Sequence, residues 1–259
     1  MNKQAYQENR DRLGQIFLNV TAALGLVLGA ATQAQAEISL SLNSGSDSIL
    51  CTDFPSNPAP NCTVTGSATA LGDLDSDVDD IFAFVQNLGS FGQVSLSASG
   101  VATSLYVQDI SVTAESTSPG SLEVMFTQTN LNGSGSDVML DAWLDFSFIG
   151  GDDGSNAPAT SVDFALYADS SNTAFGMEQQ IVEMTEISGL LGSNDVVGSG
   201  TATLTGGQFS LTQVFTINHG LTGNRVTSFT SAVNTVPEPT ILGLVGLGLV
   251  LGALARRRV

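Results

Sequence analysis

Basic residues are nearly absent from this chain: seven Lys and Arg in 259 residues, six of them in the two terminal segments. Between residues 37 and 236 only Arg225 is basic, against 22 Asp and Glu, a formal net of −21. Such a body repels phosphate backbones and anionic membranes, which excludes nucleic acid as a partner and favours cations and neutral polymers. Histidine occurs once, at His219, and cysteine twice, at Cys51 and Cys62, so a His/Cys zinc site lacks ligands. There is no G-x-S-x-G elbow and no phosphate-cradling Gly loop. The lone His lies in "NHGLTGN", which reads as a turn, and Ser-His-Asp chemistry would have to rest on it. These absences point to a protein that is not an enzyme. Apolar runs near 20 residues, the length of a full membrane span, are also missing.

What is present begins at the ends. Lys3, Arg10 and Arg12 precede an apolar run, cleanest from Val20 to Ala31, and Ala34 and Ala36 then place small residues where a signal peptidase reads them. Residues 1–36 therefore read as a signal peptide cut before Glu37, with an uncleaved N-terminal anchor as the alternative. At the other end Ile241–Ala255 forms 15 apolar residues. As a helix that is roughly 22 Å, short of a hydrocarbon core of about 30 Å, although flanking arginines can snorkel. Arg256, Arg257 and Arg258 then hold the terminus on the cytoplasmic side, so Pro237 falls at the outer face.

Pro237 and Pro239 fix their own φ and push Val236 and Glu238 toward extended conformations, making "VPEP" a stiff handle at a membrane surface. Val236, Pro237, Glu238 and Pro239, the Leu/Gly-rich run at 241–255 and the Arg cluster at 256–258 together resemble the PEP-CTERM sorting signal. The resemblance covers residues 236–259. It implies recognition by an exosortase, a membrane cysteine protease of Gram-negative bacteria that make exopolysaccharide. It further implies export, a transient inner-membrane anchor, and delivery to the cell surface or extracellular matrix. A plain tail anchor is the alternative.

Residues 37–235 are long enough for one sizeable core. Ser and Thr make up about a quarter of this body, yet its apolar residues are ordered. Ile38-Leu40-Leu42, Val94-Leu96-Ala98, Ile110-Val112-Ala114, Leu122-Val124-Phe126, Val162-Phe164-Leu166 and Phe209-Leu211 each alternate with polar residues, the period of half-buried strands. Clusters such as "NLNGSGSD" and "GGDDGSNAP" punctuate them as turns. One short helix is expected near Met177–Ile187. The expected fold is a single all-β domain, an antiparallel β-sandwich of jelly-roll kind, between a signal peptide and a C-terminal transmembrane helix. In an exported chain Cys51 and Cys62 read as one disulfide, with two free thiols as the alternative.

Two stretches carry candidate chemistry. "GDLDSDVDDIF" places Asp73, Asp75, Asp77, Asp79 and Asp80 within eight residues, where mutual repulsion asks for a cation such as Ca2+ or for open water. It is not an EF-hand loop, since Val78 stands where the turn Gly belongs. In "DVMLDAWLDFSFI" the apolar face leaves Asp141, Trp143 and Asp145 on the other side, and in "SVDFALYAD" the same logic leaves Asp163, Tyr167 and Asp169. If those two segments form a hairpin, Trp143 faces Tyr167, an aromatic platform for a sugar of an exopolysaccharide, rimmed by Asp141 and Asp169. The other reading is that this face is covered by a loop or sits at a sheet edge, with Trp143 packed there. Asp141 and Asp145 lie about 13 Å apart along one strand, too far for a glycosidase pair.

Overall fold

The computed structural model describes residues 37–54, 57–71, 80–102, 106–132, 137–149, 160–187, 192–204 and 207–236. Period-2 alternation, with few residues suited to helix interiors, yields fourteen strands and no helix among them. They are β1 (Ile38–Ser44), β2 (Asp47–Phe54), β3 (Asn57–Thr65), β4 (Thr69–Leu71), β5 (Asp80–Leu88), β6 (Phe91–Ala102) and β7 (Tyr106–Ser116), followed by β8 (Gly120–Asn132), β9 (Asp137–Ile149), β10 (Thr160–Asp169), β11 (Gln179–Ile187), β12 (Gly192–Thr203), β13 (Gln208–His219) and β14 (Arg225–Val236). The all-β expectation therefore holds for the described residues.

The strands form two antiparallel seven-stranded sheets, ordered β11-β10-β13-β8-β1-β2-β3 and β12-β9-β14-β7-β6-β5-β4. We call them sheets A and B. They pack face to face as a sandwich, and the alternating apolar residues form the core between them: Leu40 and Leu42 of β1, Leu96 of β6, Val112 of β7, Val124 of β8 and Leu144 of β9 are all buried. Phe215 of sheet A stacks on Phe229 of sheet B at 4.4 Å between ring centres and also meets Phe164 at 5.0 Å, so one aromatic chain bridges the layers.

Three sequence expectations are corrected here. Met177–Ile187 is not helical: Gln179–Ile187 is edge strand β11, paired with β10 through two register irregularities. Those irregularities explain why its apolar residues, Ile181, Val182 and Met184, do not alternate cleanly. The 138–148 and 162–168 segments do not form a hairpin, because β9 pairs with β12 and β14 in sheet B while β10 pairs with β11 and β13 in sheet A. Tight hairpins need loops of two to five residues, whereas ten residues of sequence separate these two strands. His219 is not in a turn but ends β13.

On one side the two edges are sealed against each other. A Cβ on Gly200 of β12 would strike the backbone carbonyl of Ile181 on β11, so only glycine allows this approach. The poles of the sandwich are equally defined. Gly100 of sheet B lies against the Gln128 side chain of sheet A, and Gln108 donates to the carbonyl of Leu211 at 3.2 Å. Ile38 pairs with Gln128, and Val233 pairs with Gln108, so the start of β1 and the end of β14 occupy one level. The domain is entered at Glu37 and left at Val236 from the same pole.

Candidate functional site

The outer face of sheet B carries the chain's sole Trp. Trp143 sits mid-strand on β9 because its neighbours Ala142 and Leu144 are drawn into the core. Its ladder partners are Val197 on edge strand β12 and Ala232 on β14, and Ala232 in turn faces Asp109 on β7. Trp143 is 37% exposed and Val197 68% exposed, large values for apolar side chains on a sheet. Above and below Trp143 on the same strand stand Asp141 and Asp145; Asp195 pairs with Asp145, and Asn234 with Asp141. Burial raises the Asp109 carboxyl above its usual range. The result is an exposed indole with an isopropyl group beside it, ringed by carboxylates and one amide.

Tyr167, half-buried on β10, belongs to the outer face of the opposite sheet, so it does not meet Trp143. Asp169 does not rim a platform either. It is buried, accepting from the Ser171 backbone and hydroxyl at 2.9 and 2.6 Å, from the Thr173 backbone at 3.2 Å and from the Thr173 hydroxyl. Burial pushes its pKa up, but the hydrogen bonds from Ser171 and Thr173 outweigh that and hold it below the usual value. Sequence reasoning took Asp169 for surface; the polar cluster "DSSNT" after it was the available signal of a side-chain-capped turn.

That turn is built onto the outer face of sheet A. Asn172 accepts from the Asn130 backbone at 2.7 Å, Phe175 donates its backbone N–H to Thr127 Oγ1 at 3.1 Å, and Ser210 donates to the Thr173 carbonyl at 2.8 Å. Thr127, Thr212 and Ser210 are buried under it. Among the described residues, a covering turn of the kind weighed as the alternative for the tryptophan face lies on sheet A.

The nucleophile and base types lie inside. His219 is buried, with Nδ1 2.5 Å from Ser116 Oγ and Nε2 2.8 Å from Thr227 Oγ1, its ring 5.0 Å from that of Phe91. Desolvation and the nearby Arg225 charge lower its pKa to about 4, so it is neutral at physiological pH. A second interior group joins the sheets: Gln213 donates to Gln108 at 3.3 Å and accepts from Ser231 at 2.7 Å. Sequence reasoning missed both groups. Their signal was a polar residue in an apolar register, as in Leu211-Gln213-Phe215 and Phe229-Ser231-Val233.

Cys51 and Cys62 are disulfide-bonded across neighbouring positions of β2 and β3. Asp73, Asp75, Asp77 and Asp79 lie outside the described residues; Asp80 opens β5, opposite Ser99. Among the described residues no group of three or more His, Cys, Asp or Glu is arranged to hold a metal. Ala34, Ala36, Pro237, Glu238, Pro239, the 241–255 segment and Arg256, Arg257 and Arg258 also lie outside them. Glu37 is half-buried, its carboxyl raised by desolvation, and its carbonyl accepts from Thr129 at 2.9 Å. Among the described residues no helix is long and apolar enough to cross a membrane.

Residues 235–258 match the family described as the PEP-CTERM protein-sorting motif, which marks an exported protein processed by a membrane exosortase. The match begins inside β14, where Thr235 and Val236 still pair with Leu140 and Met139. No curated protein matches the chain. Among solved structures the chain is similar to the K1 cleaved adhesin domain of Lys-gingipain from Porphyromonas gingivalis W83, with 14% identity over 67% of this chain and 99% of that one, TM-score 0.28. It is also similar to the K3 domain of the same protein, with 15% identity, 56% and 72% coverage and TM-score 0.26. A third likeness is to TmCBM61 in complex with β-1,4-galactotriose, with 16% identity, 52% and 86% coverage and TM-score 0.26. Likenesses of this size carry no argument about ligand.

Proposed function

We propose that this chain is a structural or adhesive component of the cell surface or extracellular matrix of a Gram-negative bacterium, delivered by the exosortase route and acting without catalysis. The observation that carries the reading is the position of the sorting motif, which begins within an interior strand of sheet B. No flexible spacer separates cargo from tail, so the sandwich itself is what is sorted. Entry at Glu37 and exit at Val236 from one pole suit a domain that is released at its start and held by its tail, its opposite pole facing outward. Signal peptidase cleavage before Glu37 would remove only residues that precede β1. The burial of His219 and Ser116 between the sheets supports a non-catalytic role, because a substrate would have to part the layers to reach them.

The deciding experiment is the intact mass of the mature protein from cells with and without the processing protease. Loss of residues 1–36 and of the tail in the first strain, with the tail retained in the second, supports the reading. Full-length chain recovered from the cytosol sinks it.

A second reading, a carbohydrate-binding module, is favoured by Trp143, exposed on the outer face of sheet B. The acidic stretch Asp73–Asp80 would make it calcium-dependent if its carboxylates hold the ion. A chelator-sensitive change in sugar binding tests this. An exopolysaccharide is the natural ligand class.

A further inference from the structure

We propose that the folded sandwich sets the upstream limit of the exosortase cut, so that the processed chain ends at Val236 or beyond and keeps β14 whole; this rests on the sorting reading above. The matched motif and the fold share two residues, since the match begins at Thr235 while Thr235 and Val236 are still paired with Leu140 and Met139 of β9. Upstream of them the strand is held from both sides. Residues 226–234 pair with β9 and with β7 at every position, and β14 lies between those two strands in the middle of sheet B. The β7 ladder ends at Asn234, and the β9 ladder runs on to Val236.

A protease needs the backbone free on both flanks of the bond it hydrolyses. Hydrolysis adds one water across that C–N bond, leaving a carboxylate upstream and an amine downstream, and inside a ladder the groups that must turn toward the enzyme are engaged with neighbouring strands. Freeing β14 would also break the core. Phe229 is stacked on Phe215 of sheet A at 4.4 Å, Ser231 donates to Gln213 at 2.7 Å, and Val233 is buried. Without β14, sheet B is left in two pieces, β12-β9 and β7-β6-β5-β4. Such an interior strand opens only with the fold as a whole, a state of about one molecule in a thousand or fewer in a stable domain. Cutting inside β14 is therefore slower than cutting beyond it by roughly a thousandfold. The chemistry of the chain changes at the same bond: Pro237 has no backbone N–H and cannot donate to a ladder as the residues before it do.

The test uses the full chain expressed in cells with and without the processing protease. Arg225 is the only basic residue between 37 and 236, so trypsin acting on the denatured product releases one C-terminal peptide that starts at Val226, and its mass gives the final residue. A peptide running on to Arg256 marks an uncut tail. Only ends absent from the strain without the protease are counted. In the wild type every such peptide should end at Val236 or beyond. A short Gly/Ser insert between Val236 and Pro237 moves the motif away from β14 without touching the strand. New ends should then appear inside the insert and none within residues 226–235, with the circular dichroism unchanged. Wild-type peptides that end within residues 226–235 overturn the proposal and leave the sorting reading standing. An insert variant cut only where the wild type is cut relative to Pro237 does the same, since the motif alone then sets the site. An uncut tail in both strains overturns the sorting reading and the proposal with it.

Discussion

His219 on sheet A and Ser116 on sheet B meet at 2.5 Å across the interior, tying the two layers through a neutral imidazole. A neutral ring donates at one nitrogen and accepts at the other, and the hydroxyls of Ser116 and Thr227 can complement either tautomer. Charging the ring means placing an imidazolium in a buried site near the Arg225 charge.

Stability should therefore depend on pH through His219. Its folded pKa of about 4 lies below the ordinary value of 6.5. The unfolded chain takes up the proton first, so stability is full above pH 6.5, falls as pH drops toward 4, and levels off below that. The loss is expected to be about 2–3 kcal/mol. Asp47 and Asp169 have lowered pKa values, and stability from them is present above 3.8 and lost as pH falls through their folded values, a separate and more acidic step. Urea unfolding across this range should show the upper step, and His219→Gln should flatten it; an unchanged profile in that variant refutes the assignment.

Reduction of the Cys51–Cys62 bridge should cost about 2–3 kcal/mol, by the loop entropy of a dozen residues freed in the unfolded chain. Unfolding midpoints with and without reductant measure this. A shift of the midpoint with an unchanged denaturant slope would place the effect on stability alone.

Asp169→Asn should release the 170–176 turn. The amide keeps the shape but cannot accept at both positions from the Ser171 and Thr173 donors, at a cost of about 1–3 kcal/mol. Limited proteolysis should then nick between residues 170 and 178 well before the rest of the domain. Equal resistance in the two proteins would show that the bonds to Thr127, Asn130 and Ser210 hold the turn unaided.

Gln128→Met should stabilise the fold. The Gln128 amide is buried against Gly100, and neither its nitrogen nor its oxygen has a hydrogen-bond partner among the described residues. Replacing it with an apolar side chain of similar length removes that desolvation cost, a gain of about 1 kcal/mol read as a higher melting temperature. A drop in melting temperature would mean that the amide has a partner after all, such as an enclosed water.

Strands were legible wherever one face is apolar and the other polar, because the period of side-chain direction is a property of the backbone alone. β9 shows both the reach and the limit of that signal. Its inward set, Leu140, Ala142, Leu144, Phe146 and Phe148, follows from alternation, and so does the outward aim of Trp143. Its partners do not follow, because β12 begins more than 40 residues later and β14 more than 70, and nothing local encodes either pairing. β12 itself, "GSNDVVGSGTAT", has little apolar alternation; its Gly198 and Gly200 are small because β11 presses on them.

Sequence by itself therefore determined the sorting address, the acidity of the body, the class of the fold and which residues of the clearest strands turn inward, since each is written in adjacent residues. Tertiary structure alone decided that Trp143 keeps Val197 and Ala232 as neighbours rather than Tyr167, that Asp169 is spent on a turn, and that His219 is sealed between layers. Those outcomes depend on which distant strands share a sheet, and that choice is made by the packing of two whole faces at once.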